Sequence, residues 1–309
     1  MAQGSILITG AEGFVGRALG MHVKQAFPDR LVVGTTRTGE TVAGFDRSVE
    51  VDLTHGDVAA ALREIRPAVV LHLAARSSVA QSQGASHLTF TDNVTAALRL
   101  AEAMRRDLAG VPLVFASSGE VYGAVFAAGQ AVRETVAPAP QNAYARSKLA
   151  GEFAFRDILA PVSPVIALRL FNHFGIGQDE RFVVASFAGQ IRAIPPGGHG
   201  EVLTGNLDAA RDFLPLADVL AAYAAAIRLA LAMAPGFLLY NIASGEGRTI
   251  RSILDALIAA SGRTVTIRPD PARMRPSDIP YAAGDATAFR AATGWQLHAD
   301  WRGALAAML

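Results

Sequence analysis

The stretch Ser5-Ile6-Leu7-Ile8-Thr9-Gly10-Ala11-Glu12-Gly13-Phe14-Val15-Gly16 decides the fold. Its first residues are apolar or β-branched and read as a buried strand. They run without a spacer into glycines at GxxGxxG spacing, and a helical pattern follows through about Phe27. Gly10 and Gly13 permit a tight turn and the close approach of a pyrophosphate, and Gly16 permits close packing of the new helix. Phe14 and Val15 open that helix, whose first amides and dipole favour an anion. The stretch therefore predicts a dinucleotide site between a first strand and a first helix.

Strand and helix keep alternating downstream. Leu31 to Thr35 reads as the second strand, and its end, Gly34-Thr35-Thr36-Arg37-Thr38, carries no carboxylate to accept hydrogen bonds from an adenosine ribose. Arg37 and the neighbouring hydroxyls suit a phosphate instead, so NADPH is expected, with NADH as the alternative. Asp52-Leu53 follows a third strand, where the carboxylate is placed to meet an adenine amino group; Asp57 suits a helix start. The apolar run Ala68 to Leu73 ends in Ala74-Ala75-Arg76-Ser77-Ser78. Leu73, Ala74 and Ala75 would let a flat cofactor pass over the carboxyl end of the sheet, and Arg76, Ser77 and Ser78 are candidate contacts. His72, inside the run, reads as a packed neutral histidine, because no second histidine or carboxylate completes a metal spacing.

A helix from Asn93 to Arg105 and a strand from Val111 to Ala116 lead to Ser117-Ser118-Gly119-Glu120-Val121-Tyr122-Gly123, which puts hydroxyls and a carboxylate at the sheet edge. A helix from about Asn142 to Ile158 then carries Tyr144 and Lys148 one turn apart on the same face. A nearby ammonium favours phenolate, so this pair could exchange a proton with a substrate oxygen, and Ser118 could converge on the same atom. The alternation predicts an α/β fold: a Rossmann-type doubly wound parallel sheet over residues 1–170, rejoined by a segment near 217–241. Residues 171–309 mainly form a smaller, interleaved substrate lobe.

Bulk properties narrow the class. The chain has 309 residues, 51% hydrophobic, with a net charge of +1, and no basic run interleaved with aromatics suggests a nucleic-acid partner. It has no cysteine, which removes disulfides, thiolate nucleophiles and thiolate metal sites; with no basic leader before the first strand, a cytoplasmic location is expected. No metal is expected. The Ala/Leu-rich segment Leu216 to Ala234 is interrupted by Asp218, Tyr223 and Arg228 and reads as a buried helix rather than a membrane span.

Four strings together carry a resemblance: Gly10-x-x-Gly13-Phe-Val-Gly16, Leu73-Ala-Ala-Arg-Ser-Ser-Val79, Ser117-Ser-Gly-Glu-Val-Tyr-Gly123 and Tyr144-x-x-x-Lys148. They resemble the extended short-chain dehydrogenase/reductases that act on nucleotide sugars, and the likeness covers essentially the full chain. The resemblance implies that Tyr144 exchanges a proton at the sugar oxygen, that Ser118 hydrogen-bonds that oxygen, and that Lys148 binds the nicotinamide ribose and lowers the tyrosine pKa. It also implies that Asn93 supports the cofactor region and that the protein is a homodimer through the Asn93 and Tyr144 helices.

In the second half, Arg211 and Arg275 sit in separated loops and suit a diphosphate, Asn172 is placed to orient the sugar, and Asp278 belongs to the Arg275-Pro-Ser-Asp278-Ile-Pro280 string. The strings around Asn172, Arg211 and Arg275 are similar to those of the subgroup handling GDP-6-deoxy-hexoses. They are more like the GDP-4-keto-6-deoxy-D-mannose reductases than the GDP-mannose 4,6-dehydratases. This implies reduction of a C4 ketone to a GDP-6-deoxy-hexose of the GDP-D-rhamnose type. The alternatives are a nucleotide-sugar 4-epimerase, a dehydratase with retained NADP and, last, a non-catalytic sugar-nucleotide binder. Glu120 could deprotonate C5 in a dehydratase or shape the pocket in a reductase. Gly119 cannot supply an acid, and the expected GDP link is an implication of the resemblance alone.

Overall fold

The structure, a computed structural model, describes residues 4–77, 84–274 and 279–309. Six strands come first: β1 (Ser5–Thr9), β2 (Val32–Thr36), β3 (Arg47–Glu50), β4 (Pro67–His72), β5 (Leu113–Ser118) and β6 (Pro164–Leu170). Strands β7 (Asn172–Phe174), β8 (His199–Thr204) and β9 (Ala210–Pro215) enter a smaller lobe, and β10 (Gly236–Ile242) returns to the main sheet. The order β10-β6-β5-β4-β1-β2-β3 is parallel throughout, and the reversal between β1 and β4 opens a crevice at their carboxyl ends. The doubly wound α/β expectation therefore holds.

Period-two alternation distributes the strand residues between two cores. Ile6, Ile8, Val69, Leu71, Ile166 and Leu168 pack on one face against α1 (Phe14–Ala26) and α7 (Leu216–Leu231). Leu7, Val70, Leu113, Phe115 and Val165 pack on the other, against α2 (Val58–Ile65) and α4 (Ala96–Asp107). The Ala/Leu-rich segment is thus the sheet-covering helix α7; among the described residues no helix is long and apolar enough to cross a membrane.

Between α2 and α4 the short α3 (Ser86–Phe90) leads into a π-helical turn at Thr91–Thr95, so the regular helix starts three residues later than the expected Asn93. Asn142 caps α5 (Ala143–Ala154) by accepting the Ala145 amide at 2.8 Å, and this fixes where the helix carrying Tyr144 and Lys148 begins. It too gives way to a π turn, at Phe155–Leu159.

In the lobe, β7, β9, β11 (Gly247–Thr249) and β13 (Tyr281–Ala282) form one sheet, and β8 pairs with β12 (Thr264–Pro269). Helices α6 (Val183–Arg192) and α8 (Ile250–Ser261) bury Phe187, Ile191, Ile253 and Leu257 against Phe174 and Phe213. Asp212, fully buried on β9, accepts the amides of Ser244 and Gly245 at 2.8 and 2.9 Å, which ties the lobe to the loop leaving β10. After α9 (Thr287–Thr293), Trp295 is buried with its indole N–H on the Asp218 carbonyl. Trp301 opens the last helix, α10 (Trp301–Ala306), under the Arg248 guanidinium. Both tryptophans are packing groups, as expected.

Candidate active site

A cavity of about 890 Å³ runs from the Gly10 loop, across the carboxyl ends of β4 and β5, into the lobe. At its first end, the Ala11 amide donates to the Thr35 carbonyl at 3.0 Å, laying the loop along the end of β2. Gly10 has φ +72°, and a Cβ there would lie 2.8 Å from the Ala74 main chain; one on Gly16 would lie 2.2 Å from the Gly10 carbonyl oxygen. Loop, β4 exit and helix therefore approach more closely than any side chain allows. Helix α1 starts with no side-chain cap and no acid in its first turn, so its first amides face the cavity wall formed by Gly13, Phe14 and Val15.

The Thr36 hydroxyl, next in the chain to Arg37 on the same wall, is shielded from solvent without a hydrogen-bond partner among the described residues. Asp52 and Leu53 complete that end. The Asp52 carboxylate accepts the Thr54 hydroxyl and amide at 2.6 and 2.8 Å, and these bonds hold its pKa down to about 2. An uncapped helix start, glycine contacts that exclude side chains and an unsatisfied hydroxyl next to an arginine fit an NAD(P) dinucleotide.

The chemistry lies midway along the cavity. Strand β5 runs two residues beyond its expected end and includes Ser117 and Ser118. Ser118 Oγ accepts the Glu120 amide at 3.2 Å, and its hydroxyl lies near enough to the Tyr144 phenol to favour the phenolate. The expectation that Lys148 depresses the Tyr144 pKa is corrected. Burial pushes the phenol up to about 12, the Ser118 hydroxyl pulls it back, and the Glu120 carboxylate adds to the rise. Burial brings Lys148 down to about 7 as its ammonium donates to the Ala116 carbonyl at 2.7 Å. The phenol is thus held protonated, as an acid poised toward the cavity.

His72 is neutral as expected, with its pKa lowered to about 3 by burial and by Lys148; its Nδ1 is hydrogen-bonded to Thr9 at 2.8 Å.

Other candidates separate into wall and support. Gly13, Leu73, Ala74, Ala75, Ser77, Glu120, Asn172 and Arg211 line the cavity together with Ser118, Tyr144 and Lys148. Arg211 also donates to the Ile279 carbonyl at 2.7 Å. Two candidates are held by neighbouring residues. The Arg76 guanidinium donates to Asp92 at 2.8 Å. Asn93 bonds both main-chain polar groups of Arg76 and the Ser147 hydroxyl, which in turn donates to the Tyr144 carbonyl at 2.7 Å, so it braces the helix that carries Tyr144. Arg275 and Asp278 lie outside the described residues, as does Ser78.

Sequence reasoning missed Tyr223, buried on α7 at the cavity wall, where burial first and then the nearby Tyr144 push its pKa up; its only signal was an aromatic on the inward face of an alanine-rich helix. It also missed Gln178 and Arg273, which reach the wall from loops.

Comparison with known proteins agrees with this site. Residues 6–243 match the NAD dependent epimerase/dehydratase family. The chain is 31% identical to GDP-6-deoxy-D-mannose reductase of Pseudomonas aeruginosa, over 98% of this chain and 95% of that one. It is also 31% identical to UDP-glucose 4-epimerase of Mycolicibacterium smegmatis, over 94% and 92%. The structure of RMD from Pseudomonas aeruginosa complexed with NADPH superposes with a TM-score of 0.82 at 28% identity, covering 99% and 96% of the two chains. The chain belongs to the NAD dependent epimerase/dehydratase family of extended short-chain dehydrogenase/reductases and is an NAD(P)-dependent enzyme.

Proposed function

We propose that the protein reduces the C4 ketone of a nucleoside-diphosphate 4-keto-6-deoxy-hexose, GDP-4-keto-6-deoxy-D-mannose, to a GDP-6-deoxy-hexose of the GDP-D-rhamnose type, using NADPH in preference to NADH. The observation that carries the reading is that Tyr144, Ser118 and Lys148 share one wall of the cofactor-sized cavity, a phenolic proton donor beside a second hydroxyl. The likeness to the reductase of Pseudomonas aeruginosa over nearly the whole chain supports this substrate.

NADPH, when bound, supplies the hydride to the carbonyl carbon. The residues of the chain do the rest. Ser118 donates a hydrogen bond to the ketone oxygen as negative charge builds there, and Tyr144 transfers its proton to that oxygen. Lys148, held on the Ala116 carbonyl at the cavity wall, takes the nicotinamide ribose hydroxyls. Arg211 at the lobe end, with Arg275 as its proposed partner, takes the diphosphate, Asn172 and Ser77 orient the sugar, and Glu120 shapes the pocket.

The 4-epimerase reading rests on the relatives of that activity. Mixing the purified protein with NADPH and freshly generated GDP-4-keto-6-deoxy-D-mannose should consume NADPH and substrate one for one. Conversion of a saturated nucleotide sugar to its C4 epimer with no net cofactor consumption would replace this reading.

The active unit is a homodimer that pairs α4 and α5 with their copies; Leu98 and Phe153, 41% and 45% exposed, offer the apolar contact.

A further inference from the structure

Glu12 is an unexpected residue in a loop that must receive a pyrophosphate. It lies between Ala11, pinned to β2 by the Thr35 carbonyl, and Gly13 at the start of α1. Its own carbonyl accepts the Arg17 guanidinium at 2.8 Å, and Arg17 also reaches Glu40 at 2.8 Å, so the main chain here is held from outside the cavity. The side chain lines the cavity, and its Oε2 is shielded from solvent with no hydrogen-bond partner among the described residues. Thr36 Oγ1, at the end of the adjacent strand, is shielded and unpartnered in the same way. A carboxylate oxygen in that state lacks a donor.

The Ala11 amide on the Thr35 carbonyl lays the Glu12 loop along the end of β2, so Glu12 and Thr36 belong to the same end of the cavity, with Arg37 on its wall. Arg37 is 63% exposed, and its guanidinium stands 4.0 Å from Asp92. Two opposite chemistries therefore meet at one place: a hydroxyl with a guanidinium, which suit a phosphate, and a carboxylate, which suits a hydroxyl donor and repels a phosphate.

We propose that Glu12 is a cofactor-selectivity residue. Its carboxylate accepts the free 2′-hydroxyl of the adenosine ribose in NAD(H) and opposes the 2′-phosphate that Arg37 and Thr36 attract in NADP(H). The preference for NADPH is held small by one side chain of the glycine loop, and the protein binds both dinucleotides. The inference rests on the dinucleotide reading of the cavity and on Arg37 as its phosphate partner.

The test is calorimetric titration of the purified protein with NADP⁺ and with NAD⁺, for wild type, Glu12→Gln, Glu12→Ser and Arg37→Ala. Glutamine keeps the shape of the loop and removes only the charge. Wild type should bind the two cofactors within about tenfold of each other, and Glu12→Ser should raise the ratio in favour of NADP⁺ by about tenfold or more, with Glu12→Gln between them. Arg37→Ala should move the ratio the other way. Equal change in both affinities for Glu12→Gln and Glu12→Ser, or no change in either, would overturn the proposal, because a residue that merely shapes the loop affects both cofactors alike. Failure of the underlying reading looks different: wild type would then bind neither dinucleotide, or Arg37→Ala would leave the ratio where it was.

Discussion

At the scale of single residues, the reaction depends on a phenol that burial keeps protonated and a lysine that burial keeps half-neutral near pH 7. Tyr144→Phe removes the proton donor and leaves the cavity walls in place. Turnover should fall by about 10² to 10⁴-fold with NADP⁺ affinity little changed, as steady-state rates and calorimetry would show.

Lys148 gives a second prediction, in stability. Above pH 10.5 its amine is neutral in the folded and unfolded chains. As pH falls from 10.5 toward 7, the unfolded chain takes up a proton that the folded chain refuses, so stability falls through that window and levels off below it. Denaturant titrations of Lys148→Met should lack this pH-dependent component.

The Tyr144, Lys148 and Ser118 constellation was legible in the sequence because helix spacing and strand ends are local properties. The sign of the tyrosine shift was not: it depends on how far Phe115, Tyr223 and the β5 main chain close over the pair, which spacing does not encode. The Arg76–Asp92 pair was not legible for a related reason, since Asp92 comes from a separate segment.

At the scale of elements, the catalytic helix must stay in register with the strand that carries Ser118. The structure does this with a buried ion pair. Arg169 on β6 stands beside Ser117 in the sheet, and its guanidinium bonds the Glu152 carboxylate at 2.9 and 2.8 Å, one turn beyond Lys148 on α5. The Ser117 hydroxyl donates to the same carboxylate at 2.5 Å, and the Arg169 guanidinium lies 4.7 Å from the centre of the Tyr122 ring.

Glu152→Leu leaves the Arg169 charge buried without its partner and should cost about 3–5 kcal/mol, measurable by denaturant unfolding. Activity should fall with it through the geometry of Ser118 and Tyr144. The strands of the main sheet and the helices carrying Gly16 and Tyr144 were legible from periodicity within a few residues, whereas the short strands of the lobe were not. The π turns at Thr91–Thr95 and Phe155–Leu159 were not, because an extra residue per turn leaves the apolar stripe nearly intact.

At the scale of the whole molecule, one parallel sheet presents the cofactor end of the cavity and the interleaved lobe presents the other, with Asp212 fastening the two. The proposed dimer places α5, and with it Tyr144, against a second subunit. Leu98→Glu with Phe153→Glu should therefore shift the mass in solution from dimer to monomer, as light scattering coupled to size exclusion would show; an unchanged mass would remove these helices from the interface.

The central claim is that hydride moves once, from cofactor to the sugar C4. It is tested most directly by turnover of GDP-4-keto-6-deoxy-D-mannose with NADPH carrying deuterium at the transferable nicotinamide C4 position. The account predicts one deuterium at C4 of the sugar product for each cofactor oxidised. A product that carries no deuterium, or one that carries it at C6, would contradict it.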